Sequence, residues 1–117
     1  MSNDTVQMML PLLAIALYFA WRLIKFKRIK SELPQLLAAG AVVIDVRSPA
    51  EYQQGARPGS LNIPLQDLAK RQNELSKDTP LILCCASGTR SGMAVGVLKS
   101  LGYKQVINAG PWTNTLV

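Results

Sequence analysis

The chain has 117 residues, the length of one domain rather than two. It is 49% hydrophobic and 17% charged, which excludes a disordered chain; two cysteines exclude a disulfide framework, and the absence of histidine removes Ser–His and Cys–His pairs and the commonest metal ligand. The net charge is +6, but residues 1–30 hold five basic residues against Asp4 while residues 31–117 hold eight against six acidic ones, a distribution that suits a membrane surface and not nucleic acid.

The first predicted element is apolar. Thr5 to Trp21 is a run of 17 residues without charge, and Met8–Trp21 (MMLPLLAIALYFAW) is apolar almost throughout. With Arg22 snorkelling, residues 5–24 as a helix cover about 30 Å, the hydrocarbon thickness of a bilayer. Tyr18 and Trp21 stand near the basic end, where interfacial aromatics belong, and Pro11 falls in the first turns. A core helix would show a polar stripe, and there is none. A signal peptide opens with positive charge, whereas here Asp4 precedes the apolar run and Arg22, Lys25, Lys27, Arg28 and Lys30 follow it; Ala14-Ile15-Ala16 keeps a cleavage site open as an alternative. The expectation is a single-pass anchor in a membrane such as the bacterial inner membrane, with the N-terminus outside and the folded part cytoplasmic. The predicted boundaries are 1–30 for the anchor and basic juxtamembrane segment and 31–117 for the folded domain.

The folded part alternates. Ser31 is placed to cap a short helix through Leu36, Leu37 and Ala38, closed by Gly40. Ala41–Val46 (AVVIDV) reads as a buried strand, Pro49–Gln54 as a helical turn, and Leu61–Ile63 as a very short strand. Leu65, Leu68, Ala69 and Leu75 predict an amphipathic helix over Leu65–Leu75. Pro80–Cys84 reads as a second buried strand, Ser91–Leu101 as a helix ended by Gly102, and Gln105–Asn108 as a last strand. Strands alternating with helices imply an α/β domain: a parallel sheet flanked by helices, here preceded by one transmembrane helix.

In such sheets ligands bind beyond the carboxyl ends of the strands. After Pro80–Cys84 comes Cys85-Ala86-Ser87-Gly88-Thr89-Arg90, and Ser91 opens a helix. A loop of small residues with a glycine can turn its amides toward one point, and the helix adds its positive end. A thiol there loses its proton below the usual pH, and Arg90 adds a fixed charge, so Cys85 becomes a nucleophile that needs no histidine. The bland alternative is a buried structural cysteine. Asp45 is placed to pair with Arg90, Arg47 and Glu51 to form a supporting ion pair, and Arg57 to draw an anionic donor.

Several motifs recur in order. Val43-Ile44-Asp45-Val46-Arg47 resembles the V-x-D-x-R strand of rhodanese domains, the single-domain sulfurtransferase type. Glu51-Tyr52 and Gly55–Pro64 (GARPGSLNIP) resemble the segment that follows it, and Cys85–Ser91 resembles the C-x-x-G-x-R-S active loop. Leu98, Gly102-Tyr103 and Val106 fit the ending of the motif. The resemblance covers roughly residues 31–112. It implies that Cys85 forms a persulfide, taking sulfane sulfur from a small donor such as thiosulfate or another persulfide. The sulfur then passes to a thiol or cyanide acceptor, with a carrier protein as one form of partner. It implies substrate binding by Ala86, Ser87, Gly88, Thr89 and Arg90, with Asp45 and Arg47 in support, and neither metal nor cofactor. The sequence departs from the family at Ala56 and Arg57, where the pattern has His and Ile, and the final helix is expected short or absent. Two alternatives stay open: a module that carries sulfur or binds a partner without turnover, and a cysteine phosphatase, because Cys84 and Arg90 stand at C-x5-R spacing. Against the phosphatase, the glycine is displaced by one position and Leu83 stands where a histidine belongs.

Overall fold

The computed structural model describes residues 2–117, so Met1 of the 1–30 segment lies outside the described residues. Helix α1 (Asn3–Ala38) is a single 36-residue rod, about 54 Å long. Ser2 caps it by accepting the Thr5 amide at 3.2 Å, and Asp4 complements the positive end. Val6 to Ile24 expose large apolar side chains on every face, and this is one helix long and apolar enough to cross a membrane. The separate short helix expected from Ser31 does not exist. Ser31 donates to the Arg28 carbonyl at 2.6 Å instead of accepting an amide, so it continues the helix rather than starting one. Pro34 sits inside the rod, next to the fully buried Leu33. The helix ends as predicted, with the Ala41 amide returning to the Leu36 carbonyl.

Strand β1 (Val42–Asp45) follows, then α2 (Pro49–Gln54), β2 (Leu61–Asn62), β3 (Leu81–Cys85), α3 (Thr89–Ser100) and β4 (Val106–Pro111). All pairings are parallel, in the order β2-β1-β3-β4. Central β3 is buried at all five positions because helices cover both faces. On one face Ile44, Leu81, Leu83, Ala94 and Leu98 form the larger core beneath α3. On the other, Val43, Ile82, Cys84 and Ala109 receive Leu33 from α1. Sealing one leucine this way is worth about 1.5–3 kcal/mol.

The predicted helix over Leu65–Leu75 is corrected to two short 3₁₀ turns, Leu65–Asp67 and Gln72–Glu74. From this stretch Leu68 and Leu75 are buried in the core and Leu65 packs against it half-buried. Residues 70–74 carry no apolar side chain to hold a continuous helix, and Arg71 pairs with Glu74 at the surface. The chain after β4 forms one 3₁₀ turn, Trp112–Thr115.

The strand order reverses between β1 and β3, so the loops after them flank a crevice at the carboxyl edge of the sheet. A register shift between Leu83 and Cys84 against β4 places Cys84 opposite Gly110 and Cys85 opposite Pro111.

Candidate active site

Cys84 and Cys85 end β3 and, as neighbours in a strand, face opposite sides of the sheet. Cys84 packs with Leu33, Val43 and Ile82. Burial pushes its thiol far up, the nearby Asp45 carboxylate adds to this, and Arg47 opposes it only in part. That is the reverse of what a phosphatase nucleophile needs.

Cys85 faces the α3 side. Gly88 is the N-cap of α3 in left-handed conformation, with φ 103°, and no side chain caps the helix. The sulfur occupies that place. The Gly88 amide donates to Cys85 Sγ at 2.9 Å and the Ser91 hydroxyl lies 3.4 Å from it. Burial is the largest single influence on this thiol and acts to raise it. The Ser91 hydroxyl and the amides of Ser91, Gly88 and Ser87 act together in the other direction, and the net shift is downward. Cys85 is only 1% exposed, and Val46, Ile63 and Leu83 belong to the same core. Its cover is therefore apolar on one side and a ring of donors on the other. The rim is open: Ala86, Ser87 and Thr89 are exposed.

Asn108, which the sequence reading left unassigned, organises this ring. Its Nδ2 donates to the Gly88 carbonyl at 3.0 Å, while its Oδ1 accepts from the Ser91 hydroxyl at 2.7 Å and the Gly110 amide at 2.9 Å. A hydroxyl has one hydrogen, so Ser91 stands between two acceptors, Asn108 and the sulfur. The only sequence signal for Asn108 is its position at the end of the predicted strand Gln105–Asn108, which in the structure runs on to Pro111.

The expected ion pairs exchange partners. Asp45 does not reach Arg90; it accepts from Arg47 Nη2 at 2.7 Å and from Arg47 Nε, with both side chains almost fully buried. Arg47 also donates to the Gly55 carbonyl at 2.7 Å and lies 4.9 Å over the Trp112 ring. It meets Glu51 only through the backbone carbonyl, at 3.4 Å. The Glu51 carboxylate instead clamps Arg90 with two contacts, 2.7 and 2.9 Å. Arg90 thus spans from α3 to α2, with its charge directed at a carboxylate. Glu51, held by Arg90 and by Ser48, sits at about 2. Arg57 donates to the Thr115 carbonyl, which commits it to the C-terminal turn rather than to the loop.

Two contacts come from α1. Arg22 does not snorkel outward; its Nη2 donates to the Ser87 carbonyl at 2.9 Å and to Thr89 Oγ1 at 3.3 Å. Phe26 is buried against the loop: a Cβ at Gly88 would lie 2.7 Å from its ring, and one at Gly110 would lie 2.9 Å from it. A cleft of about 420 Å³ opens between α1 and α3, with Trp21, Arg22, Thr89 and Met93 in its wall.

Fold and site together define an α/β domain that holds a cysteine sulfur at a helix N-terminus among backbone donors. The profile of the rhodanese-like domain matches residues 30–110, and the chain belongs to that family. Named sulfurtransferases are among its relatives. Thiosulfate sulfurtransferase PspE of Escherichia coli is 39% identical over 69 residues, covering 57% of this chain and 66% of that protein. YrkF of Bacillus subtilis, which bears a provisional sulfur-carrier name, is 41% identical over 75 residues, covering 61% of this chain and 40% of that protein. The matched stretch spans less than two thirds of either relative. Among solved structures, a rhodanese with anions from E. coli superposes with a TM-score of 0.61 at 35% identity, covering 64% of this chain and 91% of that one.

Proposed function

We propose that the chain is a rhodanese-type sulfurtransferase tethered to a membrane, with Cys85 as the nucleophile. The observation that carries this reading is the inward-facing Gly88 amide at 2.9 Å from Cys85 Sγ, backed by Ser91. In the first step the Cys85 thiolate attacks the outer sulfur of a donor such as thiosulfate or a persulfide. An S–S bond forms, the donor's own S–S bond breaks, and sulfite or a thiolate leaves with the electron pair. In the second step a thiol or cyanide acceptor attacks the outer sulfur and returns Cys85 as thiolate. Electrons balance without a redox cofactor. The amides of Ser87, Gly88 and Ser91 stabilise negative charge at each stage, and no side-chain base is required. Ala86, Ser87, Thr89 and Arg90 frame the approach; Asp45 and Arg47 support the crevice from β1.

Residues 1–30 serve as the anchor and residues 31–117 as the folded domain, with the basic end of the span and the domain on the cytoplasmic side. The test is thiosulfate:cyanide transfer by the native chain, Cys85→Ser and Cys84→Ser. Only Cys85→Ser abolishes transfer; activity that needs Cys84 instead overturns the assignment. The near-complete cover of Cys85 supports a second reading, a domain that carries sulfur without turnover. Intact mass after incubation with a donor separates the two: a stable adduct of one sulfur atom without turnover supports the carrier.

A further inference from the structure

We infer that Arg22 is a positioning residue for the Cys85 thiolate, acting from α1 through the Ser87–Gly88 peptide. Arg22 lies outside the residues matched by the family profile, which begin at residue 30, while its partners Ser87 and Thr89 lie inside them. The carbonyl that accepts the Arg22 guanidinium at 2.9 Å and the amide that donates to Cys85 Sγ at 2.9 Å belong to one peptide unit. A peptide is a conjugated plane. A cation on its oxygen draws density from its nitrogen and makes the N–H a stronger donor, as successive hydrogen bonds polarise one another. Arg22 therefore strengthens the closest donor to the sulfur without touching the sulfur.

Neighbours hold the relay in place. Arg22 also reaches Thr89 Oγ1, and its guanidinium lies 5.3 Å from the centre of the Phe26 ring. Phe26 seats against Gly88 and Gly110, which fixes how high α1 stands above the loop. Asn108 holds the next carbonyl, that of Gly88. The charged and titratable groups around the crevice and the cleft beside it are Tyr18, Arg22 and Lys25 on α1, Asp45 on β1 with Arg47 after it, Glu51 on α2, Cys84 on β3 and Arg90 on α3; β4 brings none. Asp45 with Arg47 and Glu51 with Arg90 are already paired. Arg22 is the cation whose partners are loop oxygens. Lys25, three residues on, lies over the Trp21 ring at 5.0 Å and serves as the control.

In function the inference deepens the proposed reaction, since more of the Cys85 thiol is ionised at neutral pH and that gain outweighs the lower nucleophilicity of a better-held thiolate; it also ties the reactive loop to the helix that would enter the bilayer. The test uses the full chain in detergent with Cys84→Ser, so that Cys85 is the sole thiol, and follows iodoacetamide alkylation against pH. Arg22→Met is expected to slow alkylation near neutral pH by about threefold and to move the profile to higher pH. Arg22→Lys falls between, and Lys25→Met overlays the parent. Arg22→Gln makes the same comparison should Arg22→Met unfold by circular dichroism. An Arg22→Met profile that overlays the parent overturns the inference. So does an equal shift in Lys25→Met, which would make the effect one of net charge. Alkylation needs no sulfur donor. A chain that alkylates as inferred yet transfers no sulfur overturns the proposed reaction and leaves this inference standing.

Discussion

Adjacent cysteines on one strand acquire opposite chemistry because strand side chains alternate. Cys84 enters the α1 side among apolar neighbours and is held neutral; Cys85 enters the α3 side and meets donors. For Cys85 the folded state favours the thiolate, so its reactivity persists as pH falls through the ordinary thiol range and is lost only lower. For Cys84 the sign is reversed, and it stays protonated through that range. Iodoacetamide at neutral pH should therefore label Cys85 well before Cys84, with the difference vanishing in denaturant; peptide mapping reads the ratio. Gly88 is the second residue that decides the site. Its φ of 103° is the left-handed region, and a methyl group there meets Phe26 at 2.7 Å. Gly88→Ala should cost about 1–3 kcal/mol and turn the amide away from the sulfur. The expected result is loss of rapid Cys85 alkylation in a chain that still folds.

At the scale of elements, two ion pairs hold the loops around the crevice. Asp45–Arg47 is buried and joins β1 to Gly55 and Trp112. Asp45→Asn leaves a buried guanidinium without its counter-charge and should destabilise by about 3–5 kcal/mol, read by urea unfolding. Glu51–Arg90 is half-exposed and ties α2 to the start of α3. Glu51 ionises far below its ordinary value in the folded chain, so its contribution is complete above the ordinary carboxylate range and is lost as pH falls toward about 2. The gap in thermal midpoint between the native chain and Glu51→Gln should accordingly be present at pH 6 and close in acid. The strands, the α2 turn and the reactive loop were legible because each is local: β-branched runs, the short Pro49–Gln54 segment, and a cysteine before a helix. Which arginine meets which carboxylate was not legible, since Glu51 and Arg90 are 39 residues apart and the sheet decides their meeting. Leu65–Leu75 misled because its apolar spacing suits a helix while its middle has nothing to bury.

On the scale of the whole molecule, α1 has two unlike halves. Its first half exposes apolar side chains all round, and its second half supplies Phe26 and Leu33 to the domain. No break separates them, so the helix cannot tilt as a free tether without dragging the reactive loop. Where the chain is cut should therefore matter more than how much is removed. A chain starting at Arg22 keeps the Ser87 contact, Phe26 and Leu33; it should be released from membranes, fold in water and retain rapid Cys85 alkylation. A chain starting at Ala39 loses the cover over Val43, Ile82 and Cys84. Removal of Leu33 alone, as in Leu33→Ala, should cost about 2–5 kcal/mol. The shorter chain should aggregate or open, and Cys84 should then alkylate without denaturant. If the two truncated chains show the same stability and the same thiol reactivity, α1 is only a leash, and its contacts with the sheet carry no weight in the fold.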